Sequence, residues 1–505
     1  MRHVYMLIHQ IGMQAGGMTL SMMKRANLFA RNGWQAALVT TDPRRDYREV
    51  EAEYQRLGLI DPGVRILNIF EDHRRSAGAA DLQRRGEFAG LTTREEPGML
   101  CVPAAGTNGL GTRYFDASGR YRLYKHWRAD GSLEYVDVFD DAHRRTRRVE
   151  FTLGNEARRE LSYDPYGTLV VQDRFLDSDG FCYVMRWHGV KTRAVYKVLT
   201  FERSGTVREY DSTRDWEIAY FNRLAAQGAE RPVFIGDGIG AIGALPQVRT
   251  NGALRYMQVH NNHLKSPWTD KRDVLDDHAR VFEAARSIDG VVVLTQQQRR
   301  DLDEVYGIGD VTHVIPHSFA DVPVAAGTRE PCSAVTVARF SEQKAIGAGI
   351  RAFRHVVDRI PQAVYRIYGT GEERDALAEL IEEYRLGANV FLEGFTRDTA
   401  AALASAQVSL ITSVYEGFCL SAAEACLQET PVVAFDVDYG PSDIVPSPRH
   451  GSILPTRDEQ ELAQEVIRYF TDERLRRENG ARARAFVLDR FGERDVFARW
   501  STLLG

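Results

Sequence analysis

Two series of short apolar runs, each followed by a helical stretch, dominate this chain, and such alternation folds into parallel sheets covered by helices. The first series opens with the strand His3–Ile8, a Gly-containing loop from His9 to Gly17, a helix from Leu20 to Asn32 and the strand Gln35–Thr40. Gly16-Gly17 lacks the full GxGxxG spacing, so a dinucleotide fingerprint is not supported. The pattern returns at Arg231–Gly236, Leu254–Val259 and Gly290–Leu294. A second series follows Pro316, with strands at Ala334–Ala338, Ala363–Tyr368, Val390–Leu392, Val408–Thr412 and Pro431–Phe435 and helices between them. Two α/β units hinged near residue 320 predict a cleft between them, at the C-terminal ends of the strands.

Between the two limbs of the first series the texture changes. Turn signals recur about every dozen residues, at Asp116–Gly119, Ala129–Gly131, Asp164–Gly167 and Ser178–Gly180, the spacing of a meander of hairpins. Residues 111–215 hold 17 aromatic side chains, which suit a pleated, half-buried surface. The expected organisation is a first α/β unit made of residues 1–74 and 216–320, with a β-meander domain inserted at 75–215. Residues 76–110 are the least regular part of the insert. A second α/β unit spans 321–485, and residues 486–505 form a C-terminal helix crossing back to the first.

With 505 residues and 44% hydrophobic side chains, the chain has ample core for several domains. A net charge of -5 excludes the overall basic excess of a dedicated nucleic-acid binder, so any anionic partner meets a local patch. Five cysteines without a CxxC pair point to a reducing compartment and away from a cysteine zinc site. The apolar run Val4–Ile8 is shorter than a signal peptide requires and no run approaches membrane-spanning length, so the expectation is a cytoplasmic protein.

The residues with chemical potential cluster at predicted strand ends. Glu416, Gly417, Phe418, Cys419, Leu420 and Ser421 lie between a buried strand and a helix carrying Glu424. A helix start there turns backbone N–H groups toward an anion, and the two carboxylates either grip sugar hydroxyls or only complement the helix dipole. Arg339 and Lys344 follow another strand and suit a diphosphate, or else pair with Glu342 at the surface. Only seven of the 65 basic residues are lysines, and Lys344 is the only one after Lys271, so a lysine here is an uncommon choice. His260, in His260-Asn-Asn-His263, serves either a substrate hydroxyl or a polar cap. Asp436 and Asp438 are spaced like a metal-diphosphate pair, but the two cations already offer neutralisation, and no metal is expected. Arg144, Arg145, Arg147 and Arg148 make the only local basic run in the insert, either a track for a polyphosphate or a solvated hairpin.

Taken in order, Arg339-x4-Lys344, Tyr368-Gly369-Thr-Gly-Glu372, Glu393-Gly-Phe395, Glu416-x7-Glu424 and Gly440-Pro-Ser442 resemble the C-terminal half of retaining glycosyltransferases of family 4, which have the GT-B fold. With Gly16-Gly17-Met-Thr19, His260-x-Asn-His263 and the insert, the chain resembles the teichoic-acid α-glycosyltransferases that modify poly(glycerol phosphate) or poly(ribitol phosphate). It is similar also to enzymes that start glycans on serine-rich adhesins. The resemblance implies a UDP-sugar as co-substrate, no cofactor and no metal. It gives Arg339 and Lys344 to the diphosphate, Gly17 to a close approach of donor or acceptor, and Gly369 and the backbone near Phe395 to the nucleotide. Glu424 falls to the ribose, Glu416 to the donor sugar, and His260 to the sugar near the reacting carbon. It further implies a homo-oligomer, a trimer ahead of a dimer, acting in the cytoplasm at the inner membrane face. The alternatives are transfer to Ser/Thr of a secreted protein, or a non-catalytic partner subunit.

Overall fold

The computed structural model describes residues 2–12, 16–43, 47–79, 88–227 and 231–505. Part of the glycine loop (13–15) and of the irregular stretch of the insert (80–87) lie outside these residues. The fold class read from the sequence holds: two parallel sheets, each flanked by helices, and a separate antiparallel sheet. The first parallel sheet has seven strands, in the order Thr312–Val314, Gly290–Val293, Leu254–Gln258, Val233–Gly236, His3–Ile8, Gln35–Thr40 and Arg65–Asn68. The strand His3–Ile8, paired on both sides, is buried from Val4 to Ile8, which is why it reads as a continuous apolar run. The second has six, in the order Val390–Gly394, Val364–Tyr368, Ser333–Val337, Val408–Ile411, Val432–Phe435 and Gly451–Leu454.

Each parallel sheet has one point where successive connections reverse direction. In the second sheet this lies between Ser333–Val337 and Val408–Ile411, and the loops leaving these two strands carry Arg339 to Lys344 and Ser413 to Glu416. Open α/β sheets part at such a point and leave a crevice at the strand ends.

The insert is a ten-stranded antiparallel sheet running in chain order from Leu100–Pro103 to Val207–Tyr210. The predicted turns fall between its strands, and Gly119, Gly131, Gly167 and Gly180 all have positive φ. Its later strands are anchored to the first unit: Phe175 lies 4.5 Å from Phe70, whose ring meets Trp216 edge-on at 4.9 Å. Helix Ile69–Ser76, which brings Phe70, is capped by Asn68, whose side chain accepts from the N–H groups of Phe70 and Glu71.

The chain passes between the α/β units at two adjacent places. The N–H of Phe319 donates to the Phe491 carbonyl at 2.9 Å, and that of Glu493 donates to the Phe319 carbonyl at 3.2 Å. Beyond Gly492 the helix Glu493–Leu504 lies on the first unit, with Trp500 and Leu504 buried and Trp500 5.8 Å from Phe29. No helix among the described residues is long and apolar enough to cross a membrane.

Candidate active site in the interdomain cleft

The loop after Val408–Ile411 ends in the helix Leu420–Leu427. Among the described residues nothing accepts a hydrogen bond from the N–H groups of Gly417, Phe418 and Cys419, which precede that helix. Cys419 holds φ +69, uncommon for a residue with a Cβ, and this turns the chain sharply into the helix. The Phe418 side chain is buried, 5.2 Å from Phe491 and 5.6 Å from His317, which leaves its backbone as the part available to a ligand. Burial pushes the Cys419 thiol up to about 12 and leaves it neutral.

Glu416 is buried just before this turn. Lys344 donates to its Oε1 at 2.6 Å, as does the Ser413 hydroxyl at 2.6 Å. Burial alone would lower the Lys344 ammonium, but Glu416 overcomes it and holds the group above its ordinary value. Arg339 is exposed on the same loop and enters no ion pair among the described residues. Gly369 has φ +148, and a Cβ there would fall inside the Ala338 carbonyl, so glycine lets the two strand-end loops close on one another. Phe395, 71% exposed, stands at the end of the next strand.

The first unit supplies the facing wall. The backbone of Gly417 lies against that of His260 and Asn261, so closely that a Cβ would overlap the His260 carbonyl. His260 Nε2 is 2.6 Å from Asp237 Oδ1, its ring stacks on His317 at 5.6 Å, and its Nδ1 is buried without a partner. Arg25, from helix Gly17–Arg31, donates to both Asp237 and Gln258 beneath the imidazole, with Trp500 5.7 Å from its guanidinium. Burial would raise the Asp237 carboxyl, yet Arg25 and His260 hold it below the usual carboxylate range. Asp237, Arg25 and Gln258 escape a reading by motif. Only the position of Asp237 immediately after the strand Val233–Gly236 marks it in the sequence.

His263 is not beside His260 in function: it is buried, stacks on Tyr439 at 5.8 Å, and burial lowers its imidazole to about 4. Tyr439 donates to Asp301 at 2.9 Å, and Asp438 accepts from Gln297. Asp436 is exposed, so the pair is split between solvent and an interdomain contact. Among the described residues no group of three or more His, Cys, Asp or Glu is placed to hold a metal ion. Gly17 opens its helix opposite Leu420, 3.7 Å from where a Cβ would stand. Glu424 is 3.7 Å from Lys24 across the cleft, and burial raises its carboxyl against that pull. A groove of about 310 Å³ runs beside it, lined by Lys24, Phe319, Thr399 and Glu424 among others.

The four arginines of the insert sit apart from the cleft. Arg144 pairs with Asp140 at 2.9 Å, Arg147 with Glu160 at 3.1 Å, and Arg148 with both Asp137 oxygens at 2.7 and 2.8 Å. Arg145 lies 3.6 Å from Asp137 and over the Tyr163 ring at 4.0 Å. Each charge is thus matched within the sheet.

Fold and cleft together define a GT-B protein, two Rossmann-like units facing one another, and its residues 328–486 match the family of glycosyl transferases group 1. Over its whole length and 99% of the relative's, the chain is 25% identical to a poly(ribitol-phosphate) alpha-N-acetylglucosaminyltransferase of Staphylococcus aureus. Over 91% of its length it is 24% identical to 68% of a poly(glycerol-phosphate) alpha-glucosyltransferase of Bacillus subtilis. Of the solved structures, S. aureus TarM superposes with a TM-score of 0.88 at 24% identity, covering 100% of this chain and 99% of that one. The pneumococcal O-GlcNAc transferase GtfA does so at 0.74 and 17% identity, covering 100% of this chain and 98% of that one.

Proposed function

We propose that this chain is a retaining glycosyltransferase that moves glucose or N-acetylglucosamine from a UDP-sugar to a hydroxyl of a polyol-phosphate polymer of the teichoic-acid type. The observation that carries the reading is the meeting of two built pairs across the cleft, Lys344 with Glu416 and His260 with Asp237, joined by the contact of Gly417 with His260. The names of the two curated relatives point the same way.

In this reading Arg339, Lys344 and the free N–H groups of Gly417 to Cys419 neutralise the diphosphate as the glycosidic bond breaks. The helix Leu420–Leu427, with Leu420 and Ser421 in its first turn, adds the positive end of its dipole. Glu416 orients the donor sugar and His260 Nδ1 meets one of its hydroxyls. Glu424 takes the ribose, and the chain from Gly369 to Phe395 borders the base. The acceptor oxygen bonds to the anomeric carbon on the face the diphosphate leaves, and its proton passes to the departing phosphate oxygen, giving UDP and an α-glycoside. Positive charge from Arg339 and Lys344 takes the place of a metal.

We further assign the antiparallel insert to gathering the polymer and copies of this chain, and place the reaction in the cytoplasm, where nucleotide sugars are supplied. The test is UDP release from UDP-glucose or UDP-N-acetylglucosamine on addition of poly(ribitol phosphate) or poly(glycerol phosphate). Release that depends on polymer supports the reading. Silence with both polymers, together with transfer to a serine-rich peptide or co-purification with a second transferase, overturns it.

A further inference from the structure

The first parallel sheet has its own reversal, between His3–Ile8 and Val233–Gly236, and none of the residues assigned to the donor lines the far side of that crevice. Its floor is made by the ends of three neighbouring strands, carrying His9, Thr41 and Asp237 with Gly238. The N–H of Thr41 donates to the His9 carbonyl at 3.1 Å, and His9 Nδ1 lies 3.2 Å from the Thr41 hydroxyl. A Cβ on Gly238 would stand 3.6 Å from the His9 nitrogen, which ties this floor to the strand end bearing Asp237. His9 is thereby two strands from His260, about 10 Å by ordinary strand spacing.

Helix Thr213–Gln227, where the chain re-enters the first unit after the insert, supplies the wall. Glu217 faces Thr41 and Arg214, and Arg214 lies over Gly243, where a Cβ would be 2.9 Å from its Nε. His9, Gln10 and Arg214 are exposed, Glu217 is half-buried, and among the described residues no ion pair engages Arg214 or Glu217. Among the described residues, a Cβ at Gly16 or Gly240 would meet nothing within 4 Å.

We propose that His9, Thr41, Glu217 and Arg214 form the acceptor subsite, holding one repeat of a polyol phosphate with its hydroxyls on Glu217 and His9 and its phosphodiester on Arg214. This rests on the functional reading above and supplies what the donor wall lacks, a hold on the polymer within the first unit from which a neighbouring hydroxyl reaches the anomeric carbon on the face the diphosphate leaves. The residue types match the repeat: a carboxyl and an imidazole exchange hydrogen bonds with vicinal hydroxyls, and a guanidinium fork suits a phosphodiester. Burial pushes the Glu217 carboxyl up to about 7 against the opposing pull of Thr41 and Arg214, so near neutrality it repels a polyanion less than an ordinary carboxylate would.

The experiment is steady-state kinetics on the full-length protein with poly(ribitol phosphate), comparing wild type with Glu217→Ala, Glu217→Gln and the exposed Arg214→Ala. The expected result is an acceptor KM at least tenfold higher in Glu217→Ala and Arg214→Ala, with the KM for the UDP-sugar within twofold and Glu217→Gln partly restored. An active wild type whose acceptor KM is unmoved in both alanine variants, or whose two KM values rise together, overturns the subsite alone. A wild type inert toward both polyol phosphates defeats the functional reading and this subsite with it.

Discussion

Lys344 and Glu416 neutralise one another in the cleft, so removing either leaves the other as an unmatched, largely buried charge as well as a missing ligand contact. Lys344→Ala and Arg339→Ala each remove charge-assisted bonds worth about 1.5–3 kcal/mol, which lowers kcat/KM by roughly 10- to 150-fold in a UDP-release assay. A loss below threefold in both variants contradicts their role. EDTA, Asp436→Ala and a metal-free buffer leave the rate unchanged if these cations carry the diphosphate, and chelation that abolishes turnover counts against it. Glu217 makes a different prediction. Its folded carboxyl is raised toward 7, so the folded state keeps a proton that the unfolded chain gives up at ordinary carboxylate pH. Its contribution is present at low pH and lost as pH rises through 7, so Glu217→Gln is expected to flatten the fall of Tm between pH 5 and 8. An unchanged slope contradicts the raised value. The residues with local motifs, such as Glu416-x7-Glu424, could be read from the sequence because their spacing is set by one loop and one helix. Arg25 and Asp237 could not, since what brings them under His260 is the pairing of strands far apart in the chain.

Among the elements, parallel strands were readable because burial on both faces makes them continuous apolar runs, and the meander because each hairpin needs its own turn residues. What the strands do to one another was not. The basic run Arg144 to Arg148 stands out in the sequence, but its partners Asp137 and Glu160 lie on neighbouring strands whose register no local pattern states. Tyr439 is a similar case: its ring leaves the second unit and is fully buried against His263 and Asp301 of the first. Withdrawing it would cost the packing of a large aromatic, about 3–5 kcal/mol for truncation to alanine, so Tyr439→Ala is expected to open the cleft. Small-angle scattering would show a larger radius of gyration, and donor KM would rise. A variant as compact as wild type would show that this contact does not hold the units together.

At the scale of the whole molecule, the antiparallel sheet is anchored at its later strands and, among the described residues, its first strand Leu100–Pro103 is an edge without a second neighbour, with Leu100 64% and Val102 46% exposed. An apolar edge of this kind pairs readily with another copy. Light scattering is expected to find a homo-oligomer, a trimer ahead of a dimer, and Leu100→Glu with Val102→Glu to dissociate it. A monomeric wild type contradicts this, and an oligomer untouched by the two charges places the interface elsewhere. Oligomerisation would set several clefts around one polymer and raise the acceptor concentration at each. The claim on which the rest depends is that the cleft transfers a sugar with retention, and proton NMR of the product formed from an α-linked UDP-sugar and poly(ribitol phosphate) or poly(glycerol phosphate) tests it most directly. An α-anomeric signal on the polymer is expected, growing in step with UDP and absent in Glu416→Ala. A β-linked product, or no transfer to either polymer from UDP-glucose and UDP-N-acetylglucosamine, would contradict it.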